Sequence, residues 1–255
     1  MSNNHAGKSW FARPRVNDAA GVRLFCFPYA GGGATLFRTW PGDLPPFVEV
    51  FAAQLPGRGA RLSEPSFTRL TTMVEALAEA IAPHLDRPFA FFGHSMGAMI
   101  SFELARLLRS ERRPQPSHLF VSGRRAPQWP EDSRRTYDLP EPEFVEELRR
   151  LSGTPREVLE HPELMQLMIP LLRADFAVCQ TYEYVPGPPL GCPVTVFGGT
   201  EDETTREQLE PWREQTTSAF ELKMFPGNHF FINEAQRQVL QIIGQHLRPH
   251  AGVPV

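Results

Sequence analysis

The chain has 255 residues, 41% of them hydrophobic, with 26 Lys and Arg against 29 Asp and Glu for a formal net charge of −3. That is enough apolar material for one α/β domain with a sizeable core, and the charge balance gives no electrostatic footprint for nucleic acid. No apolar run reaches the length of a membrane-spanning helix, residues 1–15 lack the pattern of an export signal, and Cys26, Cys179 and Cys192 are spaced for neither a disulfide framework nor a zinc site. The expectation is a cytoplasmic protein with no nucleic-acid or membrane partner.

Short apolar runs bounded by Gly and Pro at 22–28, 48–55, 89–93, 118–122, 194–198 and 220–225 have the length of buried strands. Apolar positions three and four apart predict helices over 71–84, 98–108 and 234–247. Strands and helices therefore alternate, as in a mostly parallel sheet with helices on both faces.

The alternation breaks over about 129–189, which reads as a helical insertion into a single domain spanning 1–255. There Pro155 follows Thr154 as a first-turn proline after an N-cap, and Leu164, Leu167, Met168, Leu171, Leu172 and Phe176 repeat at helical spacing, with Pro170 expected to kink the helix. The proline-rich piece 186–189 reads as the return into the sheet.

The stretch Phe89-Ala-Phe-Phe-Gly-His-Ser-Met-Gly-Ala98 runs from a buried-type strand through G-x-S-x-G directly into a helix. Such a turn exposes the central Ser in a strained conformation and needs glycines where side chains would strike neighbouring backbone. Ser95 is therefore the expected nucleophile of an α/β-hydrolase fold, and His94 leaves the turn in another direction.

A serine hydroxyl needs a histidine to take its proton and a carboxylate to hold that histidine in the right tautomer. In this fold the order along the chain is Ser, acid, His. Gly199-Thr-Glu-Asp202 and Pro226-Gly-Asn-His229 each follow a late strand, which selects His229 as base and Asp202 as acid, with Glu201 the alternative. The oxyanion hole is expected from the N–H of Met96 and one N–H of the loop Pro28-Tyr-Ala-Gly-Gly-Gly33, Ala30 being preferred over Tyr29 and Gly31. That loop is not followed by the spacing of a dinucleotide or P-loop cradle.

With these residues assembled, the sequence resembles the type II thioesterases that accompany modular polyketide and nonribosomal peptide synthetases. Phe27-Pro-Tyr-Ala-Gly-Gly32, Gln54-Leu-Pro-Gly-Arg-Gly59, Gly93-His-Ser-Met-Gly97, Leu139-Pro-Glu-Pro-Glu-Phe144, Leu172-Arg-Ala-Asp-Phe176 and Phe225-Pro-Gly-Asn-His-Phe-Phe231 all look like that family. Two positions depart from it: Asn228 stands where a second Gly is usual before the His, and Glu203 where Pro commonly follows the acid.

The resemblance implies hydrolysis of acyl groups from the phosphopantetheine thiol of acyl- or peptidyl-carrier proteins, an editing role that frees stalled assembly lines, with no metal or cofactor. It makes the inserted helices a lid, whose Leu164, Met168 and Phe176 become candidates to line an acyl pocket together with Tyr29 of the glycine loop; the stripe from Leu164 to Phe176 reads equally as plain core. Carrier proteins are usually acidic, so Arg112-Arg113, Arg124-Arg125, Arg134-Arg135 and Arg149-Arg150 are candidate docking charges. The triad alone is shared with small-molecule carboxylesterases and acyltransferases, and a silent fold used for binding would not need all three of its members.

Overall fold

The computed structural model describes residues 9–130, 135–151, 153 and 159–250. The sheet has seven strands, β1 (Phe11–Ala12), β2 (Val22–Phe27), β3 (Val48–Ala53), β4 (Phe89–His94), β5 (Leu119–Ser122), β6 (Val194–Gly199) and β7 (Phe220–Phe225), in the order β1-β3-β2-β4-β5-β6-β7. All neighbours are parallel except β1, which pairs antiparallel with β3 through Phe11↔Ala53 and Ala12↔Ala52. The six longer strands follow the apolar runs to within two residues. β1 is too short to leave a pattern in the sequence.

The runs are continuously apolar because both faces of a parallel sheet are covered. Phe25, Phe27, Phe51 and Phe91 enter one core cluster with α1 (Leu70–Ile81) and α2 (Met96–Ser110). Their chain neighbours Leu24, Cys26, Val50 and Phe92 enter the other, with Val239, Leu240, Ile243 and Leu247 of α5 (Gln236–Leu247). Each fully buried Phe contributes about 1.5–3 kcal/mol relative to an exposed one. α1 buries Leu70, Met73, Val74, Leu77, Ala78 and Ile81 at the expected spacing, and the expected C-terminal residues to His84 form a tighter 3₁₀ turn. Helix α5 starts later than the pattern predicts, because a separate turn, Phe231–Glu234, precedes it.

Between β5 and β6 lie α3 (Glu141–Leu151) and α4 (Pro162–Gln180). Phe144 and Leu148 of α3 and Met165, Ile169 and Leu172 of α4 form a satellite core of their own, with Phe144 edge-on to Phe176 at 5.5 Å between ring centroids. Further along α4, Val178 joins the main core, so one end of the helix is anchored there while the other packs in the satellite cluster with α3. Pro170 lies inside α4 without ending it. The expected helix start at Thr154-Pro155 and the cation Arg134 lie outside the described residues.

His118 is 2% exposed, stacks on Phe120 at 4.1 Å and places Nε2 2.9 Å from Thr195 Oγ1. Burial pushes its pKa down to about 3, helped by His246 and His250 and opposed by Glu221. The folded state then binds fewer protons than the unfolded one between pH 6.5 and 3. Stability from neutral His118 is present above about pH 6.5 and is lost as pH falls, at up to about 1.4 kcal/mol per pH unit. His118→Gln is expected to flatten the fall of the urea midpoint between pH 6.5 and 4.5; a slope identical to wild type would refute it.

Candidate active site

The turn from β4 into α2 holds Ser95 at φ 55° and ψ −111°, a region that L residues rarely adopt. Ser95 N–H donates to Ser122 O of β5 at 2.8 Å, which ties the turn to its neighbouring strand. Glycine is required on both sides for lack of space: a Cβ on Gly93 would lie 2.0 Å from Gly97 O, and one on Gly97 2.0 Å from Phe27 O. This is the geometry of a nucleophile elbow, with strain of about 1–3 kcal/mol held at Ser95.

The loops after β6 and β7 bring Asp202 and His229 together, with His229 Nδ1 2.9 Å from Asp202 Oδ2. The Asp202 side chain is 2% exposed, and its Oδ1 accepts the Thr204 N–H at 3.0 Å. Glu201 is exposed and is not the carboxylate facing the imidazole. Ser95, Asp202 and His229 line one cavity of about 950 Å³. Among the described residues the Ser95 hydroxyl has no hydrogen-bond partner; in free enzymes such contacts are often long and tighten only with substrate.

His94 is buried away from this role. Its Nδ1 lies 2.8 Å from Ser122 Oγ, and burial, with a smaller contribution from His229, holds its pKa well below the usual range. Its ring packs 5.1 Å from that of His229 and closes against Gly123, where a Cβ would meet His94 Cε1 at 2.7 Å. His94 thus supports the far side of the His229 ring as an uncharged wall.

Met96 opens α2, where a helix start leaves its first N–H groups without intrahelical partners. In the glycine loop, Gly32 N–H closes a turn onto Tyr29 O at 2.9 Å and Gly31 N–H donates to Asp175 Oδ2 at 2.7 Å. Gly31 is therefore committed elsewhere, while the Ala30 N–H makes no hydrogen bond among the described residues.

Of the lid candidates, Tyr29 and Phe176 line the cavity, together with Leu172, Cys179 and Phe230. Leu164 and Met168 do not. Leu164 is 42% exposed, and Met168 packs against the Phe144 cluster. The stripe divides by position: Leu164 and Leu167 at its start are exposed, Met168 packs against the Phe144 cluster, and Leu172 and Phe176 reach the cavity, while Met165 and Ile169, outside the stripe, make the early contact with α3. Phe230, edge-on to Tyr29 at 5.2 Å and to His229 at 5.3 Å, was legible only as part of the motif around His229.

Arg124 and Arg125 also line the cavity and are half-buried, so they form part of its wall rather than an exposed docking surface. Burial lowers the Arg124 pKa. Arg149 pairs with Glu146, Arg150 with Glu147 and Glu203, and Arg113 with Glu79 and Glu111, which leaves these cations largely neutralised within the chain. Glu203, where a Pro is usual, thus links the acid loop to the end of α3. Asn228 costs no backbone strain, because the left-handed conformation falls on Gly227 at φ 114° while Asn228 Oδ1 accepts the Phe230 N–H at 2.9 Å.

The sequence model of the thioesterase domain family matches residues 22–247. The chain belongs to the thioesterase family. The gramicidin S biosynthesis protein GrsT of Aneurinibacillus migulanus is 49% identical over 240 residues, which is 94% of each chain. LgrE of Brevibacillus parabrevis, named a linear gramicidin dehydrogenase, is 45% identical and covers 98% of this thioesterase and 97% of its own length. The solved type II thioesterase BorB of the borrelidin biosynthetic cluster superposes with a TM-score of 0.86 at 35% identity, over 94% of this chain and 98% of its own.

The resemblance to type II thioesterases is thereby borne out, as is the α/β-hydrolase fold. The thioesterase is a hydrolase acting on thioesters. No helix among the described residues is long and apolar enough to cross a membrane.

Proposed function

We propose that this thioesterase hydrolyses acyl groups from the phosphopantetheine thiol of acyl- or peptidyl-carrier proteins, as an editing enzyme of cytoplasmic polyketide or nonribosomal peptide synthesis. The observation that carries the reading is the His229–Asp202 pair at 2.9 Å on the same cavity as the strained Ser95, in a chain of this family. Ser95, His229 and Asp202 act as nucleophile, base and orienting carboxylate. The described residues of the insertion between 129 and 189 act as a lid on a single domain, with α3 and α4 closing one side of the cavity.

Ser95 Oγ attacks the thioester carbonyl while His229 Nε2 takes its proton, and Asp202 stabilises the imidazolium so formed. The oxyanion of the tetrahedral intermediate is met by the Met96 and Ala30 N–H groups at the positive end of α2. Collapse of the intermediate expels the pantetheine sulfur, which leaves as a thiol with the proton from His229. Water then loses a proton to His229, attacks the acyl-enzyme and returns Ser95 with release of the free acid. The cavity wall of Tyr29, Leu172 and Phe176 supplies apolar contact for an acyl chain, and Arg124 and Arg125 give it a cationic side.

The test is hydrolysis of a short acyl group from a holo-carrier protein against the matched oxyester, read by mass spectrometry. Turnover of the carrier thioester at a kcat/KM at least about tenfold above the oxyester is expected, a transition-state difference of about 1.4 kcal/mol. Preference for the oxyester would return the protein to the carboxylesterases. Acyl transfer to an added alcohol or amine in place of water would identify an acyltransferase.

A further inference from the structure

Two motifs that the sequence offers only as family likeness converge on the glycine loop, residues 28–33. Arg58, from Gln54-Leu-Pro-Gly-Arg-Gly59, places Nη1 2.7 Å from Asp175 Oδ2 and Nη2 2.7 Å from Asp175 Oδ1, Asp175 being the acid of Leu172-Arg-Ala-Asp-Phe176. The two side chains are 6% and 0% exposed. From this pair, Arg58 Nη1 also donates to Gly32 O at 3.0 Å, and Asp175 Oδ2 accepts the Gly31 N–H at 2.7 Å. Arg58 is itself held: Gln54 Nε2 donates to its carbonyl at 2.8 Å, and its Nε reaches Pro56 O at 3.4 Å.

The two groups gripped by this pair belong to the residues that follow Ala30. Gly31, at φ 79°, is the third residue of the turn closed by Gly32 N–H on Tyr29 O, as a type II turn requires. Glycine adopts either sign of φ with little cost, so the peptide joining Ala30 to Gly31 rotates unless something outside the turn holds it. Asp175 holds its N–H, and Arg58 holds the Gly32 carbonyl one residue further. An oxyanion donor accelerates the reaction only if it is already aimed where the charge will develop.

We infer that the buried Arg58–Asp175 pair is a positioning device for the oxyanion loop, fixing Ala30 N–H relative to Ser95 and coupling that loop to α4. The inference rests on the reading of Ser95 and Ala30 given above. The coupling to α4 is close: Leu172, one helical turn before Phe176, lies against the loop so tightly that a Cβ on Gly31 would fall 2.7 Å from Leu172 Cδ2. Displacement of the cavity-lining turn of α4 by an acyl chain is thus transmitted to the amides that stabilise its reaction.

A buried pair of this kind is not needed for stability as such, since well-packed apolar replacements are often neutral or stabilising. That separates the two roles. Asp175→Asn keeps shape and removes charge, and the double variant Arg58→Met/Asp175→Leu keeps packing while releasing Gly31 N–H and Gly32 O. Both are compared with wild type and Ser95→Ala on an acyl thioester, with Tm and inhibition by an alkylboronic acid, whose serine adduct places an oxygen in the oxyanion position.

The expected result is a fall in kcat of about 10–100-fold with KM within about threefold, somewhat less than deletion of an oxyanion donor. The boronate inhibition constant is expected to rise with the kcat loss while the Tm of the double variant stays near wild type. Wild-type kcat and boronate affinity in a folded double variant would overturn the inference and leave the pair a structural one. Turnover retained by Ser95→Ala would instead overturn the reading of the site, so the two failures are distinguishable.

Discussion

Asp202→Asn is expected to lower kcat by about 10⁴-fold with Tm nearly unchanged. Asp202 Oδ1 already accepts the Thr204 N–H, while Oδ2 faces His229 Nδ1. An asparagine therefore settles with its oxygen on Thr204 and its amide NH₂ towards Nδ1, which becomes an acceptor. The imidazole proton moves to Nε2, and that nitrogen no longer takes the Ser95 proton. The side chain is isosteric and buried, so folding survives. Ser95→Ala is expected to cost more, about 10⁵–10⁶-fold, because only the oxyanion amides and binding remain. Steady-state kinetics of both variants beside Glu201→Gln decide the matter; loss in Glu201→Gln with activity kept in Asp202→Asn would move the acid to its neighbour.

This pairing was legible in the sequence because each partner follows a strand whose apolar run is unmistakable, Val194–Gly199 and Phe220–Phe225. Strand ends fix loop positions, and the loops that follow the neighbouring parallel strands β6 and β7 open side by side at the carboxyl edge of the sheet. The elbow was legible for the same reason, since β4, Ser95 and α2 are contiguous. Contacts made across the fold were not. Arg58 and Asp175 are 117 residues apart and hydrogen-bonded while nearly fully buried, yet in a linear reading each is one more polar residue in a loop or on a helix. The stripe on α4 shows the limit of periodicity: Leu164 and Leu167 of the expected face are exposed, Met165 and Ile169 outside it pack in the Phe144 cluster, and Leu172 and Phe176 reach the cavity, because the position of α3 decides which side of the helix is covered. The ion pairs of Arg149 and Arg150 with Glu146, Glu147 and Glu203 were not legible either, because the sequence pattern gave no helix over Glu141–Leu151 and Glu203 lies on a distant loop.

Gly97→Ala is expected to abolish soluble folded protein, a larger structural effect than any triad substitution. Its Cβ would sit 2.0 Å from Phe27 O and 2.6 Å from Phe27 C, both backbone atoms of a central strand, so no side-chain rotation relieves the clash. Relief requires β2 and α2 to separate. Both belong to the core that packs Phe27, Phe91, Met96 and Ile100, each fully buried. A cost above about 4 kcal/mol follows from overpacking against fixed backbone, set against total stability of about 5–15 kcal/mol. Gly42→Ala is the control, since a Cβ there meets nothing within 4 Å and the residue lies in the short helix Trp40–Asp43; it should be neutral or stabilising by up to about 1 kcal/mol. Soluble yield and urea midpoint of the two variants are the measurement. A folded Gly97→Ala protein with a wild-type midpoint would mean that the elbow sits further from β2 than this geometry requires, and the orientation of Ser95 towards the loop that carries Ala30 would lose its structural basis.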